Sequence, residues 1–355
     1  MDPYRIDSHK LIYHPSRVSQ WLKGEDIYPI YIEIGPSGAC NHRCIFCALD
    51  YLEYQKRFID KDILIKKVSE MASCGVRSIM YAGEGEPLLH KEIGGLILHT
   101  KKVGIDVALT TNGVFFSEKV AQQCLGSLTW VRFSLDAGMR STYAKVHRCS
   151  KGDFAKVLAN LSYAVKLKKE KKYDCTIGVQ FLLIPENCQD TIKATTLLKK
   201  IGVDYLIIKP YSQHLLSHYT IDKNFHYNDY LYLEKELQNF STDDFKIIFR
   251  TQAMKKIEDK EKVCKHCLGL PFWAYIDSSG DVWACSAYLG NSNFLYGNIN
   301  KNSFSEIWKG TKRKQVLQMV ETELDITHCR KACRLDEINR YLWNLKHSPE
   351  HVNFI

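Results

Sequence analysis

The chain has 355 residues, enough at roughly 150 per domain for one large domain or two, with a core that needs no cross-links. Hydrophobic residues make up 45% and charged residues 25%, which excludes disordered, collagen-like and coiled-coil chains. The 49 Lys and Arg against 40 Asp and Glu give +9, which favours anionic partners without choosing between phosphorylated metabolites and nucleic acid. No stretch approaches the roughly 18 consecutive apolar residues of a membrane helix, and Met1 to Lys10 is too polar for a signal peptide, so a cytoplasmic location with no membrane partner is expected.

Apolar runs bounded by Gly, Pro and Asn predict strands at Ile30 to Ile34, Ser78 to Ala82, Asp106 to Thr111, Trp130 to Leu135, Thr176 to Ile184 and Tyr205 to Lys209. Helical patterns fall between them, at Asp60 to Ser73, Leu88 to Val103, Ser117 to Leu125, Phe154 to Lys172 and Asp190 to Ile201. Six alternating units predict an α/β fold, a parallel sheet that right-handed crossovers curl into a partial (β/α)6 TIM-like barrel. Active residues of such a fold sit at the C-terminal ends of strands, and the unusual polar and Gly residues of this sequence fall there. Past about Phe225 the pattern changes to a helix, Asn228 to Asn239, and then a small Cys-rich domain with short aromatic strands, Phe272 to Asp277 and Asp281 to Cys285. The expected divisions are an N-terminal extension (1–27), the barrel (28–225), linker helices (226–260) and the C-terminal domain (261–355).

Thirteen cysteines without an export signal argue for metal ligation, because a reducing cytosol keeps thiols free. Cys40, Cys44 and Cys47 form C-x3-C-x2-C after the first strand, a spacing with a chance expectation of about 0.02 occurrences. Structural zinc wants four protein ligands and would have to recruit His42 or a distant Cys. Three thiolates on a [4Fe-4S] cluster would leave one iron open to an exogenous ligand.

This loop, with aromatic Phe46 before its last cysteine, resembles the radical S-adenosylmethionine (radical SAM) superfamily. Gly83-Glu84-Gly85-Glu86-Pro87 at the end of the second strand resembles the family's element that holds the SAM amino group. Ser134, Asp136 and Arg148 resemble the residues that meet the SAM carboxylate, and Asn112 follows the third strand at the same mouth. The resemblance implies reductive cleavage of SAM at a [4Fe-4S] cluster, a 5′-deoxyadenosyl radical that abstracts hydrogen from substrate, and an external electron donor such as flavodoxin or ferredoxin.

Downstream, Cys264-x2-Cys267, Gly280-x4-Cys285 and Cys329-x3-Cys333 resemble the SPASM and twitch auxiliary-cluster domains, with Gly280 turning a hairpin. Five cysteines imply one auxiliary [4Fe-4S] cluster, assigned to Cys264, Cys267, Cys285 and Cys333, with Cys329 as spare or substitute. A four-cysteine zinc site is the alternative reading.

Lys209, Tyr211, Gln213 and His214 follow the sixth strand and suit a polyhydroxylated or phosphorylated ligand. The expected substrate is a carbohydrate, sugar nucleotide or similar small polar metabolite, in a reaction of oxidoreductase or epimerase/isomerase type. In some relatives an acidic residue directly follows the Gly-x4-Cys cysteine and acts as base; here that place is Ser286, so a simple alcohol oxidation would need Asp277 or Asp281 as a substitute. Two other readings stand beside this one: a peptide- or protein-modifying radical SAM enzyme, and a zinc-binding protein that interacts with nucleic acid.

Overall fold

A computed structural model describes residues 3–259 and 262–354, so the expected boundary between residues 260 and 261 lies outside the described residues. The strands are β1 (Tyr31–Ile34), β2 (Ser78–Tyr81), β3 (Asp106–Thr111), β4 (Trp130–Ser134), β5 (Thr176–Leu183), β6 (Tyr205–Pro210), β7 (Lys246–Phe249), β8 (Trp273–Ile276), β9 (Asp281–Trp283) and β10 (Leu295–Asn298). They form one sheet in the order β10-β9-β8-β1-β2-β3-β4-β5-β6-β7. Pairing is parallel from β8 through β7 and antiparallel in the β8-β9-β10 meander.

The alternation of side chains along each strand sorts the two faces. Outward, Ile32, Ile34, Val131, Phe133, Val179 and Leu206 are fully buried against the helices, which explains why these runs read as apolar. Inward, Tyr31, Glu33, Arg132, Ser134, Gln180 and Lys209 line a cavity. Local signals start the helices: Asp60 accepts hydrogen bonds from Asp62 N and Ile63 N at the head of Lys61–Ser73, and Ser117 caps Glu118–Cys124 through Val120 N.

The six expected strands and three of the five helices stand within a residue of their expected limits. The helix expected at Leu88 starts at Ile93, because Pro87–Leu89 forms a separate turn, and the one expected at Phe154 starts at Lys151. Two features extend the pattern. The segment 226–260, expected to be linker helices, contains β7, which adds a seventh parallel strand beside β6. The Cys-rich domain is not a separate sheet: β8 pairs with β1 in register, Tyr31 opposite Trp273 and Ile34 opposite Ile276. The auxiliary cysteines are therefore set against the barrel by main-chain hydrogen bonds. No helix among the described residues is long and apolar enough to cross a membrane.

Candidate active site and iron-sulfur centres

A cavity of about 720 Å³ opens at the C-terminal ends of the barrel strands. Cys40, Cys44, Phe46 and Cys47 from the loop after β1 line it, as do Gly83, Gly85, Glu86 and Pro87 after β2, Asn112 after β3 and Ser134 at the end of β4. Two of these glycines are required by sterics. Gly83 has φ +118°, and a Cβ there would run into the Gly35 backbone; a Cβ on Gly85 would strike the carbonyls of Ser37 and Ala39. The loop after β2 is thus pressed against the start of the cysteine loop, and Glu86 N donates to Ala39 O at 2.8 Å.

The two carboxylates of that loop point different ways. Glu86 faces the cavity while accepting hydrogen bonds from Thr111 Oγ1 (2.6 Å), Asn112 N (2.8 Å) and Leu88 N (3.1 Å). Burial nevertheless pushes it up to about 7, against those three donors. Glu84 turns away from the cavity, to Tyr275 Oη at 2.6 Å and Ser278 N at 2.7 Å in the auxiliary domain.

Cys44 Sγ lies 3.1 Å from His147 Nδ1, and His147 Nε2 lies 2.9 Å from the carbonyl of Leu135. That carbonyl can only accept, so Nε2 carries the proton and Nδ1 faces the sulfur. Burial drives His147 down to about 3, keeping the ring neutral. Arg148, by contrast, caps the helix Arg140–His147 with φ +45°, is exposed and does not line the cavity. Asp136 is fully buried, accepts from Leu182 N at 2.6 Å and is likewise not part of the lining.

The thiols supply the test of what this loop can hold. Burial raises Cys40 to about 12, and raises Cys44 well above an ordinary thiol, with Cys47 and Cys40 adding like-charge repulsion. Three such groups become thiolates together only with a cation among them, and three sulfurs leave one corner of an iron-sulfur cube free. The donor set fits a [4Fe-4S] cluster.

Cys264, Cys267, Cys285, Cys329 and Cys333 line the same cavity from the other side. Burial raises Cys267, with repulsion from Cys333, Cys285 and Cys329 added; it raises Cys285 to about 12, with repulsion from Cys333 and Cys329. Cys264 is raised by burial too, and its thiol neighbour is Cys333. Cys329, assigned as the spare, thus stands among the others, with its Sγ 3.2 Å from Tyr288 Oη. Asn339 Nδ2 reaches Cys267 Sγ at 3.5 Å while Asn339 Oδ1 accepts from Leu268 N and Gly269 N, fixing the loop that carries Cys267. All thirteen cysteines are free thiols.

Of the substrate residues expected after β6, Lys209 and Tyr211 line the cavity and Gln213 and His214 do not. Gln213 Nε2 donates to Tyr219 O, and His214 is buried against the Tyr51 ring. Asp277 and Asp281 are not in the lining either; Asp277 accepts from Trp283 Nε1 and Ser279 and so holds the β8-β9 hairpin, leaving Ser286 at the cavity wall. The sequence reading missed Glu33, Arg132, His147 and Arg330, all in the lining. The signal for Arg132 was present: a charged residue at an inward position between Val131 and Phe133, both fully buried.

Two thiol centres facing one cavity at the mouth of a parallel barrel define an iron-sulfur enzyme architecture. A Radical SAM superfamily model matches residues 34–203, and an iron-sulfur cluster-binding domain model (SPASM) matches residues 270–334. The chain belongs to the radical SAM superfamily and carries a C-terminal auxiliary iron-sulfur domain. That membership brings a SAM-binding [4Fe-4S] cluster, an auxiliary cluster and SAM as cofactors.

Among curated relatives, a GTP 3′,8-cyclase of Chlorobaculum tepidum is 33% identical over 144 residues, 39% of this chain and 43% of that protein, so the chain spans less than half the length of this relative. A tungsten-containing aldehyde ferredoxin oxidoreductase cofactor-modifying protein of Pyrococcus furiosus is 23% identical over 304 residues, 79% of this chain and 80% of its own. Among solved structures, Streptococcus suis SuiB bound to S-adenosylmethionine superposes with a TM-score of 0.67 at 16% identity, covering 87% of this chain and 72% of SuiB. SuiB is also known bound to its precursor peptide SuiA.

Proposed function

We propose that this chain cleaves SAM reductively and uses the resulting radical to abstract hydrogen from a small polar metabolite held in the cavity. The observation that carries the reading is the convergence of Cys40, Cys44 and Cys47 with the loops after β2, β3 and β4 on one cavity of about 720 Å³. Bound to those thiolates, a [4Fe-4S] cluster supplies an open iron for SAM and the electron that breaks its sulfur-carbon bond. The chain's own residues do the rest. Gly83 and Gly85 bring backbone close to the amino group of SAM, and Glu86 holds that loop to the end of β3. Ser134 and Asn112 offer neutral polar contacts at the same mouth. Phe46, Leu182 and Ile207 give the wall an apolar part that keeps water from a reactive intermediate.

The electron comes from an external donor of the flavodoxin or ferredoxin kind, and the auxiliary cysteines hold a second cluster within the same cavity. The substrate belongs to the carbohydrate or sugar-nucleotide range of sizes, because the cavity has to seat SAM as well. The reaction type, oxidation or epimerisation, follows from whether an electron leaves through the auxiliary centre. Likeness to SuiB favours a second reading, a peptide substrate entering the same cavity. Anaerobic reconstitution with iron and sulfide, then dithionite and SAM, tests the proposal: 5′-deoxyadenosine is expected, and its absence from fully loaded protein would overturn it. A metabolite panel against a peptide panel, scored by stimulated 5′-deoxyadenosine release, separates the two substrate readings.

A further inference from the structure

The inner wall of the barrel carries more positive charge than it can neutralise. Arg334 pairs with Glu33, and Arg250 pairs with Asp7 at 3.0 Å. Arg132 on β4, Lys209 on β6 and Arg330 beside the auxiliary cysteines line the cavity without an ion pair to a carboxylate among the described residues. Arg132 lies over the Trp130 ring at 4.7 Å and bonds Tyr205, yet its buried Nε has no hydrogen-bond partner among the described residues. Arg330 donates to Ser212 O at 3.0 Å through Nη2, and its Nε is also buried without a hydrogen-bond partner among the described residues.

The carboxylates that face these groups are Glu33, engaged by Arg334, and Asp136, which accepts from Leu182 N and which burial pushes up to about 7. Burial, with Arg132, Arg250 and Arg330 nearby, brings Lys209 down to about 7. Buried charge of one sign is costly unless a counter-charge joins it. SAM cannot provide that charge, since its carboxylate is outweighed by its ammonium and sulfonium. Arg330 neighbours Cys285 and Cys333 and shares in the charge of a cluster there, whereas Arg132 and Lys209 stand on barrel strands.

We infer that Arg132 and Lys209, with Arg330 beside the auxiliary cysteines, form an anion subsite that takes the phosphate of a phosphorylated small substrate. The inference rests on the radical SAM reading and narrows its substrate class. A guanidinium and an ammonium lining the same cavity suit a dianionic or polyanionic phosphate better than a single carboxylate.

The test uses protein reconstituted with its clusters, with SAM present and inorganic pyrophosphate as the probe, read by calorimetry at constant ionic strength. Wild type should bind it, R132Q and K209Q at least tenfold more weakly, and R132K within a fewfold of wild type. K312Q, an equal loss of charge at an exposed position, should bind as wild type does. A second measurement needs no variant: acetylation of Lys209 by dilute acetic anhydride, followed by mass spectrometry, should slow at least fivefold with pyrophosphate. No binding by wild type, binding equal in K209Q and R132Q, or unprotected Lys209 would overturn the subsite. Dithionite-driven 5′-deoxyadenosine from the wild-type sample separates the two claims: if it forms while pyrophosphate fails to bind, the subsite alone is wrong.

Discussion

The Glu84 carboxylate accepts a 2.6 Å hydrogen bond from Tyr275 Oη, joining the loop after β2 to the strand that docks the auxiliary domain on the barrel. Both groups are buried, and Glu84 also accepts from Ser278 N. Removing the hydroxyl in Tyr275→Phe leaves a buried carboxylate oxygen without its donor, at a cost of about 1–3 kcal/mol. Thermal unfolding should show a lower Tm. SAM affinity should fall as well, because Gly83 and Gly85 flank Glu84; an unchanged affinity would separate this contact from the SAM loop.

Cys44→Ala should abolish SAM cleavage while the auxiliary centre keeps its iron. Elemental analysis beside a 5′-deoxyadenosine assay checks it, with iron expected to drop by about four per chain.

Cys285→Ala makes the complementary change. Its thiol faces Cys333 and Cys329 across the cavity from the first centre. The variant should lose the auxiliary iron, retain dithionite-driven 5′-deoxyadenosine formation and lose product formation on the true substrate.

Glu86 gives a pH dependence of defined sign. Burial raises its pKa from 4.5 in the unfolded chain to about 7 in the fold, so between these values the folded state binds the extra proton. Stability should therefore decline as pH rises through that window, by about 3 kcal/mol in all from this group, and stay at the lower level above it. In cluster-free protein, E86Q should flatten this part of the profile, since Gln does not titrate. SAM affinity of the loaded variant should also fall, because the Gln amide opposes Asn112 N-H where the carboxylate accepted it.

The barrel was legible because each β/α unit announces itself locally: outward Ile and Val on the strands, capping Asp60 and Ser117 at helix starts, glycines where loops press together. The cysteine spacings announced the two centres for the same reason. What escaped was non-local. Lys246–Phe249 is four residues between charged stretches, and only pairing with β6 makes it a strand. The docking of β8 on β1 joins residues more than 200 apart, so nothing near Trp273 signals it. Arg148 and His147 show how one residue decides orientation: the helix ends between them, His147 faces Cys44 and Arg148 turns out to solvent. Glu84 looked like a cofactor ligand because its partner, Tyr275, lies in another domain.

Oxygen-free reconstitution of the wild-type chain, with iron and acid-labile sulfide counted before dithionite and SAM are added, addresses the central claim most directly. About eight irons per chain, falling to about four in Cys44→Ala, together with 5′-deoxyadenosine made by wild type alone, is the predicted result. Protein that takes up no iron, or that takes it up and leaves SAM intact under strong reduction, would contradict the account.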